Sequence, residues 1–121
     1  MKNSSIKKVD KGWGYELWFH NDEKYCGKLL FFEKGKKCSF HYHIKKHETF
    51  YLHSGSLKCT FVDINDLSDE SKHVHVVLNA GDTKEIYPGL VHQMEAIEDA
   101  ELFEFSTQHF DDDSIRIIKG D

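Results

Sequence analysis

Residues 35–55 constrain the fold most, because they bring three potential metal ligands into eight positions. If residues 38–44 form a β-strand, side chains two positions apart share a face, so His41 and His43 point the same way. The polar residues that follow can form a turn. Glu48, the first residue of the next predicted strand, can then face both histidines. The pattern predicts a hairpin that gathers metal ligands on one face.

A second stretch can supply a fourth ligand. His92 follows a turn at residues 87–89, Tyr-Pro-Gly, which suits delivery of a side chain from another hairpin. His47, adjacent to Glu48, is a rival ligand that the first turn is expected to point outward. Three neutral imidazoles and one carboxylate suit one divalent transition metal, such as Zn, Mn, Fe, Co or Ni. The predicted ligands are His41, His43, Glu48 and His92.

Short strands and frequent turn signals run along the whole chain, and no long amphipathic helix is evident. The predicted strands are 13–19, 25–33, 38–44, 48–54, 56–64, 73–78, 83–87, 92–97 and 100–107. Turns every 8–12 residues predict an all-β sandwich or barrel. Residues 1–12 are polar and lysine-rich and are predicted to be an arm, and the acids at 111–113 a solvated loop. With 121 residues, the chain 1–121 is predicted to be a single domain.

Composition excludes several classes of function. The net charge is −5, with both signs interspersed, so nucleic acid is not an expected partner. No apolar run approaches the roughly 20 residues that span a bilayer, so no membrane association is expected. The first residues lack the apolar core of a signal peptide, and three cysteines without CxxC spacing argue against a disulfide framework. These features predict a cytoplasmic protein with reduced thiols.

The two histidine-containing stretches resemble the two motifs of the cupin superfamily. The first motif is matched, at every anchor and gap, by Gly35, His41, His43, Glu48 and Gly55. The second is matched by Gly81, Pro88, Gly89 and His92. The resemblance implies an all-β cupin double-stranded β-helix, or jelly-roll barrel, with the metal ion held inside it.

The rest of the chain is similar to the cupin domain of type II mannose-6-phosphate isomerases. The similarity lies in residues 13–16, Lys28, residues 92–95, residues 101–107 and residues 113–116. It implies an isomerase of aldose and ketose phosphates, in which Arg116 or Lys28 would bind the phosphate. Arg116 is the one arginine among sixteen cationic residues, and a guanidinium binds phosphate bidentately.

The general base is not identified by this similarity. Glu104 and Glu95 are candidates by residue type, although strand parity puts Glu95 on the face opposite His92. Those isomerases often carry Gln where this chain has His41, and the fuller ligand set is typical of cupins at large, including oxygenases. A metal-dependent (Fe) oxygenase of a small polar substrate and a non-enzymatic sugar-binding module therefore remain alternatives to a sugar-phosphate isomerase or epimerase. The aromatic first strand and exposed strand edges favour a homodimer.

Overall fold

The computed structural model describes residues 5–121, which form eleven β-strands and no α-helix. The strands are β1 (Lys7–Lys11), β2 (Gly14–Asn21), β3 (Cys26–Phe32), β4 (Phe40–His43), β5 (Glu48–Ser54), β6 (Ser56–Asp63), β7 (Val74–Asn79), β8 (Thr83–Ile86), β9 (Leu90–Ala96), β10 (Ala100–Ser106) and β11 (Ser114–Ile118). Short 3₁₀ segments occupy Ile64–Asp66, Glu70–Lys72 and Asp111–Asp113. Nothing helical in this range has the length or apolarity to cross a membrane.

The strands form two antiparallel sheets that face each other. One has six strands in the order β1-β2-β3-β10-β5-β8, and the other has five in the order β11-β4-β9-β6-β7. From β3 onward, successive strands alternate between the two sheets except for β6 and β7, so the chain winds back and forth across the barrel. The all-β jelly-roll prediction is confirmed.

The core lies between the sheets and follows the alternation of side chains along each strand. Inward-facing residues of both sheets form one apolar cluster, whose most deeply buried members include Phe32, Leu52, Leu57, Ile86 and Leu102. The three cysteines are buried and free. A smaller cluster of Phe40, Val62 and Val91 packs on the outer side of the five-stranded sheet, where Ile64 and Leu67 cover it.

Two strands differ from the prediction. The predicted arm at residues 1–12 contains β1, which pairs with β2 in register from Lys7↔Trp18 to Lys11↔Gly14. Residues 1–4 lie outside the described range. The second strand is β11, which pairs with β4 and places Arg116 opposite His41. Both are edge strands held by pairing with a neighbour, and the lysine-rich sequence of β1 carries little local strand signal.

Candidate metal centre

Three imidazoles converge inside the barrel from two adjacent strands. His41 on β4 lies opposite His92 on β9, and His43 follows two residues later on the same face. One ligand atom from each ring lies within 4.8 Å of the others. His43 and His92 are buried, and His41 is half-buried. The three side chains could therefore hold a metal ion.

Each of these rings is oriented by a hydrogen bond from Nδ1 to a backbone carbonyl. The acceptors for His41, His43 and His92 are the carbonyl oxygens of Ser39, Asp113 and Leu90, at 2.9, 3.0 and 2.9 Å. Because a carbonyl only accepts, Nδ1 carries the proton and the Nε2 lone pair remains for a ligand. Metal-binding histidines are commonly oriented in this way.

Glu48, at the start of β5, brings a carboxylate to the same point. Its Oε2 atom lies 3.3 Å from Nε2 of His43 and 3.6 Å from Nε2 of His92. Within residues 5–121, neither carboxylate oxygen of Glu48 nor Nε2 of His92 has a hydrogen-bond partner, although all three atoms are buried. Buried polar atoms without partners are costly, and a shared cation would satisfy them. The donor set fits a divalent metal ion.

The protonation states of the site suit metal binding. Burial is the main reason that the pKa of His92 falls to about 3, and burial together with the neighbouring His92 and His43 lowers the pKa of His41 well below its usual range. Both rings are therefore neutral at pH 7, which is the form that binds metals. Burial and the charge of Glu104 raise the pKa of Glu48, while Lys46 and His43 oppose the rise.

A buried ion pair stands beside the candidate ligands. Lys46 Nζ donates to Glu104 Oε2 at 3.0 Å and to His109 Nδ1 at 3.1 Å. It also lies 3.4 Å from Glu48 Oε1, close enough for an ion pair but not aligned for a hydrogen bond. Burial disfavours the ammonium, yet Glu104 and Glu48 outweigh burial and raise the pKa of Lys46. Burial likewise opposes ionisation of Glu104, but chiefly Lys46 lowers its pKa to about 2. Both groups stay charged.

The ligands line a cavity of about 730 Å³, whose exposed lining residues include Lys7 on β1 and Arg116 on β11. Lys28, only 1% exposed, also lines it; its Nζ lies 4.0 Å from the Trp18 ring centre and 3.4 Å from Glu16 Oε1. Arg116 lines the same cavity and is exposed. The further cationic residues of the lining are Lys7, Lys11, Lys46 and Lys119.

The acidic run at 111–113 is only partly the solvated loop that we expected. Asp111 and Asp112 are exposed, but Asp113 is buried. Its carboxylate accepts hydrogen bonds from the backbone N–H groups of residues 44–46 at 2.9–3.2 Å. The prediction was wrong for Asp113 because its partners lie 67–69 residues away in sequence. Asp113 thereby fixes the turn between His43 and Glu48.

The other sequence candidates are divided between the cavity and the surface. Glu104 lines the cavity, whereas Glu95 pairs with Lys58 and lies on the face opposite His92. His47 points outward and contacts Glu85 at 2.8 Å. Three further residues line the cavity without having been predicted as site residues, namely Glu16, Lys46 and His109. Lys46 gave no local signal, because it lies in a turn whose backbone is held by Asp113, 67 residues away in sequence.

Comparison with known proteins agrees with this architecture. The Cupin family model matches residues 27–118. The capsular polysaccharide assembling protein CapF from Staphylococcus aureus superposes with a TM-score of 0.81 at 18% identity, covering 96% of this chain and 32% of that chain. Oxalate decarboxylase from Bacillus subtilis gives 0.77 at 20% identity, covering 93% and 30%. The formate complex of oxalate decarboxylase from Lactobacillus farciminis gives 0.75 at 16%, covering 93% and 34%.

These similarities differ in what they show. This chain spans 30–34% of the length of the three solved structures, and at 16–20% identity they show the fold alone. No curated protein sequence gives a significant match. The family model covers most of the chain, including all four predicted ligands. The chain therefore belongs to the cupin family.

Proposed function

We propose that this cupin binds one divalent transition metal through His41, His43, Glu48 and His92 and acts on a sugar phosphate as an isomerase or epimerase. One observation carries the proposal. Three oriented Nε2 atoms and a carboxylate without hydrogen-bond partners among the described residues meet in a cavity whose lining includes several cations. A bound ion would polarise the carbonyl and hydroxyl oxygens of a substrate.

The charges of the cavity support an anionic substrate. When Glu48 is ionised as a metal ligand, three carboxylates oppose two ammonium groups among the more buried residues of the lining. A divalent ion then converts their one net negative charge to one positive charge. The groups are Glu16, Glu48, Glu104, Lys28 and Lys46. Arg116, which lies opposite His41, can offer a phosphate its planar fork of donors. Lys28 is the second candidate to bind the anion.

Glu104 is the proposed proton acceptor. It is ionised, buried and part of the cavity lining. Its Oε2 atom accepts hydrogen bonds from Lys46 and from Ser106 Oγ at 2.9 Å. A base with a pKa of about 2 is weak at neutral pH. Proton transfer from a substrate to Glu104 therefore requires Lys46 to move away from it.

The same ion pair favours a second candidate function, a metal-dependent sugar-binding module without catalysis. A carboxylate held by Lys46 and Ser106 is arranged to neutralise a lysine rather than to take up protons. The fold similarity to a capsular polysaccharide assembling protein supports a carbohydrate ligand for either function. Three buried free cysteines are in keeping with a cytoplasmic location, where thiols stay reduced.

Elemental analysis of the purified protein beside a His41→Ala/His92→Ala variant tests the metal site. We expect about one transition metal per wild-type chain, none in the double variant and full content in a His47→Ala control, whose ring points outward. Failure of the wild type to take up metal after reconstitution would overturn the proposal. With the metal bound, interconversion of aldose and ketose phosphates supports the isomerase, and binding of a hexose phosphate without turnover supports the binding module.

A further inference from the structure

The outer face of the six-stranded sheet carries a continuous aromatic surface. Strands β2, β3, β10 and β5 contribute Tyr15, Phe19, Phe31, Tyr51, Phe103 and Phe105, which we call the aromatic face. Its rings contact one another both across and along the strands. Tyr15 stacks on Phe31 with centroids 5.0 Å apart, and Phe103 lies 6.4 Å from both Phe19 and Phe105. The rings thus form one surface rather than isolated exposed residues.

The aromatic face has the composition that is typical of the centre of a protein–protein interface. The chain is 31% charged, yet the outward positions of β3, β5 and β10 carry one formal charge, Glu101, at the end of its strand. Phe19 is 42% exposed and Phe105 is 57% exposed. Aromatic enrichment and depletion of charge mark the buried centres of protein interfaces, and contiguous exposed apolar surface of this kind marks a binding site.

The face also contains a hollow beside its most exposed ring. Gly27 on β3 pairs directly with Phe105 on β10. A Cβ atom placed on Gly27 would have no atom within 4 Å. A protruding phenyl ring and an open glycine position therefore lie side by side on neighbouring strands.

We infer that the aromatic face binds a second copy of this chain. A two-fold axis running along the strands between the two stacked sheets, midway between β3 and β10, carries Phe105 of each copy over Gly27 of the other. A symmetric dimer requires such reciprocal contact. The two sheets then pack with aligned strands, which is a preferred arrangement of stacked sheets. The phenyl ring and the hollow thus make the face complementary to itself.

The size and the charge of the aromatic face are consistent with binding a second copy of the chain. Four strands at a spacing of about 4.8 Å, with outward residues every ~6.8 Å, give an apolar centre roughly 20 Å across. The outer strands β1 and β8 add a polar rim towards the ~800 Å² per partner of a standard interface. Each chain has a net charge of −5, so two copies can approach most closely where neither carries charge.

The test compares association of three single variants with wild type by sedimentation over a wide range of protein concentration. The wild type is expected to dimerise. Phe105→Lys and Gly27→Asp should each raise the dimer dissociation constant by about 100-fold or more, because each change acts twice in the dimer. Val77→Lys is the matched control, since Val77 is 51% exposed on the five-stranded sheet, and it should change the constant by less than about threefold.

Mixing the Phe105→Lys and Gly27→Asp variants tests the reciprocal contact. The mixed dimer has one Lys–Asp pair and one Phe–Gly pair, so it should form more tightly than either variant with itself. A monomeric wild type, variants that dimerise as wild type does, or an equal effect of Val77→Lys would overturn the inference. Failure of the mixture to recover association would overturn the proposed register. None of these results depends on the metal site.

Discussion

The inner and outer faces of the six-stranded sheet reverse the usual arrangement of a soluble β-sheet. At one end of the barrel, β3, β5 and β10 direct Lys28, Glu48 and Glu104 inward. The same strands direct Phe31, Tyr51 and Phe103 outward. A sheet with one solvated face normally buries its apolar residues and exposes its polar ones. The reversal is in keeping with the two proposals made above, a metal ion with a small ligand inside the barrel and a second copy of the chain on the outer face.

The reversal is confined to one end of the barrel. Two residues further along each strand, the inward side chains are Leu30, Phe50 and Leu102, and they belong to the apolar cluster. The apolar end holds the two sheets together, as in any sandwich. The charged end depends instead on internal pairing, because each buried charge must have a partner. This dependence can be tested on the inner face by removing single charges.

The largest effect is expected from Lys46→Met in the metal-free protein. The change leaves Glu48 and Glu104 buried without their shared cation, and breaking a buried pair on one side costs about 3–5 kcal/mol. We expect the free energy of unfolding in urea to fall by about 3 kcal/mol or more. Added Zn²⁺ should restore part of the loss, because an ion on Glu48 neutralises one of the two carboxylates.

The matched control is the Lys46→Met/Glu104→Gln double variant. It removes both partners of the 3.0 Å ion pair and should be less destabilised than Lys46→Met alone. A single variant as stable as wild type in metal-free buffer would mean that the inner charges do not need Lys46. The proposed contrast between the two ends of the barrel would then be wrong.

The metal-free protein should also become less stable as the pH is lowered. The pKa of His92 is lowered from 6.5 to about 3, and that of His41 is lowered too, mainly by burial. The unfolded chain therefore binds more protons than the folded chain below pH 6.5, and stability present above that pH is lost as pH falls towards 3. Each histidine contributes a slope of about 1.4 kcal/mol per pH unit. Below pH 4.5 Glu104 adds to the decline, because its pKa of about 2 keeps it ionised in the folded chain while the unfolded chain takes up a proton.

Urea unfolding of wild type and a His92→Gln variant, measured at several pH values without metal, checks this prediction. The variant lacks one titrating group, so its stability should fall with pH less steeply by about 1.4 kcal/mol per unit. Equal slopes for the two proteins would mean that His92 is protonated in the folded state. A neutral ring ready for a metal would then be the wrong description of the site.

The sequence predicted the parts of this arrangement that are local. His41, His43 and Glu48 lie within eight residues, and strand periodicity was enough to place the two histidines on one face. Alternation and turn signals likewise located most of the strands that form the two sheets. The role of each ligand in binding metal stays a prediction.

Contacts between residues far apart in the chain could not be predicted from the sequence. Lys46 looked like part of a polar turn, and its inward direction depends on Asp113, which binds the backbone of that turn. The lysine-rich β1 is a strand only because β2 supplies its hydrogen bonds. The aromatic face is assembled from four strands distributed between residues 14 and 106. No local sequence pattern indicates such a surface, since each strand contributes only two or three outward-facing residues to it.

A smaller effect is expected from Arg116→Lys. Lysine keeps the positive charge opposite His41 but loses the planar fork that binds a phosphate through two donors. Because Arg116 is exposed, we expect affinity for a hexose 6-phosphate to fall by about tenfold, measured by calorimetry with the metal-loaded protein. Lys58→Ala, on the outer side of β6, should leave the affinity unchanged. Equal affinities of wild type and Arg116→Lys would remove Arg116 from the binding site.

Phe103→Thr, a substitution on the outer face of the sheet, should have the smallest effect on metal binding at the inner face. Phe103 lies next to Glu104 in β10 but points away from the cavity, and threonine suits an outward position of a strand. We expect the affinity of the variant for Zn²⁺ to stay within about twofold of wild type, while its dimer weakens. Zinc titration below the dimer dissociation constant separates the two effects. A large loss of zinc affinity there would show that the faces are coupled through the strand, and that the ligand site is sensitive to what covers the sheet outside.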